Sequence, residues 1–129
     1  MIAVEHVAWQ VNDPPAVAKW YGENLGFRVL RKLDNSPFTH FMVDAGNRLV
    51  IEIYNNPAAG VPDYKSMNPQ HLHLAFAAAD LEAEQDRLLR AGASIAESMF
   101  VTPAGDKLIM LRDPWGFAIQ LCKRTRPMM

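Results

Sequence analysis

The sequence predicts an α+β fold: two tandem βαβββ modules forming a curled, barrel-like mixed sheet with helices outside. Three observations predict it: an internal repeat, the same order of patterns in both halves, and polar–apolar alternation along the strands. His6-Val7-Ala8-Trp9 lies over His73-Leu74-Ala75-Phe76, and Asp13 and Asp80 each follow their His by seven places. The run Leu49-Val50-Ile51-Glu52-Ile53-Tyr54 lies over Phe117-Ala118-Ile119-Gln120-Leu121-Cys122, one polar residue inside each apolar stretch. His6 and Glu52 are 46 residues apart, and His73 and Gln120 are 47. Two landmarks recurring at matching separation read as a tandem duplication. The expected repeats are about 2–55 and 70–123, joined by a linker at 56–69, all within a single domain of 1–129.

Each element follows from local chemistry. After the opening strand, Asp13 and Asp80 stand where a helix N-cap accepts a hydrogen bond from a first-turn amide. Pro14 and Pro15 suit the first turn, where a missing N–H leaves nothing unpaired. The first helix is predicted over about 14–24, burying Val17, Trp20 and Tyr21 and stopping at Gly26. The second is predicted over about 81–91, burying Leu81, Leu88 and Leu89, with Gly92 as a left-handed stop. Three strands follow each helix, near 27–33, 39–44 and 48–55, then near 94–101, 107–112 and 117–123. Ala45-Gly46-Asn47, Pro103-Ala104-Gly105-Asp106 and Asp113-Pro114-Trp115-Gly116 supply turns. Pro57, Gly60, Pro62 and Pro69 mark the linker.

Composition narrows the function. With 129 residues, half of them hydrophobic, the chain builds a core without disulfide or metal staples. Thirteen Lys and Arg against fourteen Asp and Glu leave a net charge of −1, and a nucleic-acid binder needs a basic surplus. The single cysteine, Cys122, excludes an internal disulfide and a cysteine-based zinc cluster, which suits a reducing compartment. No apolar run approaches the roughly 18 residues of a spanning helix. The opening Met1-Ile2-Ala3-Val4-Glu5 lacks the pattern of a signal peptide. The expectation is a cytoplasmic protein without nucleic-acid or membrane partners.

Neighbouring residues of a strand point to opposite faces. Val7, Trp9 and Val11, and Leu72, Leu74 and Phe76, are expected under the helices. His6, Ala8 and Gln10, and His71, His73 and Ala75, then share the other face. The same parity sends Ile51, Ile53, Ile119 and Leu121 inward, and Glu52, Tyr54, Gln120 and Cys122 outward. Any one of these polar residues is ordinary on a strand, and His40, beside a hairpin, is expected at the surface. The case for chemistry rests on recurrence, because His6, Glu52, His73 and Gln120 occupy matching places in both repeats. Two imidazoles, a carboxylate and an amide oxygen suit one divalent ion: Zn, Ni, Fe, Co or Mn.

Beyond the His-Val-Ala-Trp-Gln-Val-Asn-Asp opening, Trp20-Tyr21, Leu25-Gly26-Phe27, Ile51-Glu52-Ile53-Tyr54, His73-Leu74-Ala75-Phe76 and the stretch from Asp113-Pro114-Trp115-Gly116 to Gln120 complete a pattern. It resembles the vicinal oxygen chelate superfamily, which holds glyoxalase I, bleomycin-resistance proteins, extradiol dioxygenases and fosfomycin-resistance enzymes. The resemblance spans residues 2–123. It implies that His6, Glu52, His73 and Gln120 hold the metal ion, closest to the glyoxalase I-like branch. Gln120 departs from that branch, which has Glu there, and an amide cannot accept a proton as a base. Glu52 is therefore the expected catalytic carboxylate, and His71, Gln10, Tyr54 and Asn56 are candidate substrate contacts. At Gln10 the bacterial glyoxalases have an arginine for the glutathione carboxylate, whereas Asn56 matches a glutathione-contacting asparagine. The implied function is a metal-dependent lyase or isomerase acting on a small carbonyl or thioester-type substrate, as a homodimer. Its alternatives are a metal-free small-molecule or antibiotic binder and, less favoured by Gln120, an extradiol dioxygenase.

Overall fold

A short strand, an aspartate and a helix open each half of the chain, and three strands complete it. The computed structural model describes residues 1–129, which divide into two compact units, Met1–Pro62 and Asp63–Met129. The first contains β1 (Val7–Gln10), α1 (Pro14–Leu25), β2 (Arg28–Lys32), β3 (His40–Val43) and β4 (Val50–Tyr54). The second contains β5 (Leu74–Ala77), α2 (Leu81–Arg90), β6 (Ser94–Val101), β7 (Lys107–Arg112) and β8 (Ala118–Lys123), preceded by a 3₁₀ turn at Tyr64–Ser66.

The caps work as the sequence predicts. Asp13 accepts from the Ala16 amide at 3.1 Å and Asp80 from the Ala83 amide at 3.0 Å. α1 closes on Gly26, whose φ of 74° lies in the left-handed region open to glycine. α2 closes on Ala91, with the predicted stop Gly92 one residue further at φ 104°.

Strand order is β1-β4-β3-β2 in the first unit and β5-β8-β7-β6 in the second. β1 with β4, and β5 with β8, pair parallel, and the other pairs are antiparallel. The α+β class and the two βαβββ modules are thus as predicted. Each module's own sheet is open rather than barrel-like, since four strands fall well short of the roughly eight that close a barrel.

α1 packs on β2, β3 and β4, and α2 packs on β6, β7 and β8. Val17, Tyr21, Met42, Ile51 and Ile53 form the deepest layer of the first module, and Leu81, Leu88, Ile109, Leu111 and Ile119 that of the second. Each such side chain contributes roughly 1.5–3 kcal/mol through burial.

Departures from the predicted parity fall at strand ends. Val7 and Leu72 are exposed (41% and 43%), because Val7 is the first residue of β1 and Leu72 lies in the turn before β5. Leu89 is only half-buried.

The linker is held from both sides. The Gln10 side-chain amide donates to the Asn56 carbonyl at 2.9 Å and the Gly60 carbonyl at 2.6 Å, while its oxygen accepts from the Asn56 amide. In the second unit the Arg112 guanidinium donates to the carbonyls of Tyr64, Met67 and Gly116 at 2.7–3.0 Å. No helix is long and apolar enough to cross a membrane.

Candidate metal centre

In the first module, parallel pairing sets Ala8 beside Glu52, and antiparallel pairing sets Phe41 on Glu52's other side. His6 lies two residues before Ala8, so its ring reaches the same helix-free face. Its Nε2 is 3.1 Å from Glu52 Oε2, and both side chains are shielded, at 30% and 21% exposure. Phe41 meets the imidazole edge-on, with centroids 5.5 Å apart and planes at 82°. His6 Nδ1 is buried without a hydrogen bond, and the nearest carboxylate is that of Glu5 at 3.4 Å.

The second module repeats the frame with other chemistry. Ala75 pairs with Gln120, as Ala8 pairs with Glu52, and His73 again stands two residues upstream. Met110 takes the place of Phe41 beside the polar residue. His73 Nδ1 lies 2.9 Å from the Pro69 carbonyl. A carbonyl only accepts, so Nδ1 carries the proton and Nε2 keeps its lone pair for another partner. Gln120 Oε1 accepts a hydrogen bond from Cys122 Sγ at 3.3 Å. Burial pushes the Cys122 thiol above its ordinary pKa, so it stays protonated and donates.

The donor chemistry fits a divalent ion. Two ligands at the usual 2.0–2.2 Å from a metal, set near a right angle, lie about 3 Å apart. His6 Nε2 and Glu52 Oε2 have that separation. The carbonyl behind His73 is the kind of outer partner that orients a ligating imidazole. The structure brings His6 and Glu52 together, but no group of three or more His, Cys, Asp and Glu side chains meets in a way that could hold an ion.

The candidate substrate contacts are placed as follows. Gln10 is buried (7%) and engaged with the linker backbone. Asn56 is exposed and uses Oδ1 to accept from the Ala58 amide at 3.0 Å. Tyr54 is half-buried, two residues along β4 from Glu52. His71 is exposed in the turn before β5, with its backbone amide bonded to the Asn68 carbonyl, so strand parity does not govern its direction. His40 is not at the surface as expected. It is 6% exposed within β3, opposite Ile53, on the face that α1 covers. Sequence reasoning also passed over Phe41 as a neighbour of the site. A hairpin centred between Gly46 and Asn47 pairs residue 41 with 52, so the signal lay in the turn.

A duplicated βαβββ chain with a histidine opening each module, and a carboxylate beside the first, defines a class. The Glyoxalase/Bleomycin resistance protein/Dioxygenase superfamily model matches residues 3–121, and the chain belongs to that superfamily. No curated protein matches it. Solved structures do. The chain is similar to a glyoxalase I mutant from Zea mays (23% identity, TM-score 0.70), covering 94% of this chain and 45% of the maize one. It is similar to TnmS3, an antibiotic-binding protein from a Streptomyces species (21%, TM-score 0.71), covering 97% of this chain and all of that one. It is also similar to the fosfomycin-resistance protein FosX from Listeria monocytogenes complexed with Mn(II) and sulfate (16%, TM-score 0.73), covering 97% and 93%. At these identities the likeness is one of fold.

Proposed function

We propose that the protein is a metal-dependent lyase or isomerase of the glyoxalase I-like type, acting on a small carbonyl or thioester-type substrate. The observation that carries this reading is the His6–Glu52 pair, 3.1 Å apart on a register that recurs at His73 and Gln120. His6, Glu52, His73 and Gln120 would hold one divalent ion of the Zn, Ni, Fe, Co or Mn class. When bound, such an ion supplies Lewis-acid polarisation of a substrate oxygen.

The side chains divide the remaining work. Glu52 carries the only carboxylate of the four and takes the proton from the carbon next to the substrate carbonyl. The Phe41 ring packed against His6 helps keep water from the pair. Gln120 offers an amide oxygen and no charge, so the donor set carries a single negative charge. That balance favours an anionic substrate or an anion developing next to the carbonyl. Tyr54, two residues from Glu52 on β4, is a candidate for a substrate contact. His71 and Asn56 would act from the site's edge, and Gln10, whose side-chain amide is bonded to the backbone of Asn56 and Gly60, would position Asn56.

The test is metal content on the untagged protein, followed by a metal-quantified assay against hemithioacetals, α-keto and α-hydroxy thioesters, and catechols. We expect one ion per chain. His6→Ala or His73→Ala should reduce it to background while far-UV circular dichroism stays unchanged. A double variant that keeps full metal content overturns the ligand set.

A second reading, a metal-free small-molecule or antibiotic binder, is favoured by one observation: the second module offers an amide, already bonded to Cys122, where the first offers a carboxylate. Purified protein without stoichiometric metal that still binds a small molecule would establish it. Under either reading we propose a homodimer, checked by sedimentation at micromolar concentration, where a monomer counts against it.

A further inference from the structure

We propose that the first module carries a second small-molecule site on its helix-covered side, built around His40 and suited to a small organic carboxylate bearing a hydroxyl or N–H donor. The alternation of β3 puts His40 and Glu52 on opposite faces of one sheet, since Phe41 pairs with Glu52 and His40 with Ile53. The two sites are therefore separate even though they share strands.

Its floor is an unusual histidine. His40 is 94% buried in the sense that only 6% remains exposed. Its Nδ1 lies 2.7 Å from the Phe38 carbonyl, so Nδ1 holds the proton and Nε2 is an acceptor in the neutral ring. Phe38 presents that carbonyl from a backbone with φ of 55°, a conformation few aromatic residues adopt. Nε2 makes no hydrogen bond, yet it is not among the buried polar atoms sealed without a partner. His40 lines a cleft on this side with a volume of about 500 Å³. That volume falls within the range of small-molecule sites, roughly 300–1,000 Å³.

The walls and rim set the ligand's chemistry. Pro15 and Ala18 of α1 face Val29 and Leu30 of the β2 edge across the cleft, giving an apolar body site. Lys19, Arg31 and Lys32 complete the lining, which contains no carboxylate. Lys19 pairs with Glu23, and Lys32 pairs with Asp34 at 3.0 Å, but these partners lie outside the lining and all four side chains are largely exposed. Exposed pairs of this kind contribute little and exchange readily. A carboxylate at the rim replaces Asp34 or Glu23, an apolar body covers Val29, and a hydroxyl or N–H donates to His40 Nε2.

The probe is 4-hydroxybenzoate, titrated into ¹⁵N-labelled full-length protein. We expect saturable shifts at the amides of Val29, Lys32 and His40 and at the His40 ring, with a dissociation constant in the millimolar range or tighter. Lys32→Glu, a change at an exposed side chain, should weaken binding at least fivefold. His40→Phe, which removes the acceptor, should weaken 4-hydroxybenzoate more than benzoate. Saturation without shifts at Lys32 and His40, or shifts confined to His6, Phe41 and Glu52, overturns the site. So does equal binding of uncharged 4-hydroxybenzyl alcohol, or of inorganic phosphate at the same residues with equal affinity. Because metal ligands are untouched, failure here leaves the metal reading standing, and loss of metal binding leaves this one standing.

Discussion

The two modules share a backbone frame and differ in what they hang on it. Glu52 and Gln120 have the same neighbours by register: Ala8 and Ala75 on one side, Phe41 and Met110 on the other. Tyr54 and Cys122 follow two residues later. In the first module a carboxylate meets an imidazole at 3.1 Å, with an aromatic edge beside it. In the second an amide meets a neutral thiol, and the histidine is anchored from behind by the Pro69 carbonyl. Ladder pairing depends on backbone amides and carbonyls, so duplication keeps the positions while the side chains are free to diverge. Under the proposed function, this difference would give charge and proton transfer to the first module and neutral ligation to the second.

The strongest way to break this assignment is to exchange the two chemistries. Glu52→Gln gives the first module the amide of the second and removes the only carboxylate of the four. Turnover should fall by about 10²-fold or more at equal metal occupancy, the usual range for a lost general base. Full turnover in that variant with metal bound means that Glu52 is not the base. Gln120→Glu makes the reverse change. It should tighten metal binding, read by competition with a chelator. If it also creates hemithioacetal turnover in a protein otherwise inert to hemithioacetals, the natural substrate belongs to another chemistry.

The next contrast lies in the hairpin turns. Gly116 in the β7–β8 turn has φ of 95°, and a Cβ there would stand 2.8–2.9 Å from the Lys65 backbone and Cβ. Gly116→Ala therefore combines backbone strain with a clash that backbone cannot relieve, and should destabilise by about 3 kcal/mol in urea denaturation. The β3–β4 turn uses Asn47 at φ 54° for its left-handed position. Asn47→Gly should stay within about 0.5 kcal/mol. Equal effects at the two turns would mean that the 3₁₀ turn carrying Lys65 yields easily.

How much of this was legible follows from where the constraint sits. The repeat, the caps at Asp13 and Asp80, and the strands at 94–101 and 107–112 were written locally, in periodicity and capping chemistry. The direction of Ile51, Ile53, Ile119 and Leu121 was also legible, because these strands are paired on both sides and parity holds. Val7, Leu72 and His71 were misjudged because parity stops where the ladder stops. His40 was misjudged because nearness to a turn says nothing about face, whereas its pairing with Ile53 puts it under α1. Of the site, the alignment of His6 with Glu52 was visible as equal spacing. The proton held on His73 by Pro69 was not, since it depends on how the linker folds back within its own unit.

A pH-dependent contrast comes from the aspartate that opens each hairpin turn. Asp44 accepts from the amides of Gly46, Arg48 and Leu49 at 2.7–2.9 Å. Asp113 does the same for Trp115 and Phe117, both at 2.9 Å. Asp113 is 4% exposed, so Asp113→Asn should cost about 2 kcal/mol, while the better solvated Asp44→Asn should cost about 1 kcal/mol. For Asp44, burial alone pushes the carboxyl up, but the amides of Leu49, Arg48 and Gly46 outweigh it and hold the pKa below 3.8. A carboxyl whose folded pKa is depressed contributes its full stability above the unfolded value and loses it as pH falls through the folded one. The gap between wild type and Asp44→Asn should therefore be constant above about pH 5 and shrink as the pH drops below 3.8. Thermal melts of the two proteins across pH 2–7 measure it. A gap that persists unchanged down to pH 2 would show that the turn depends on the oxygen's geometry and not on its charge.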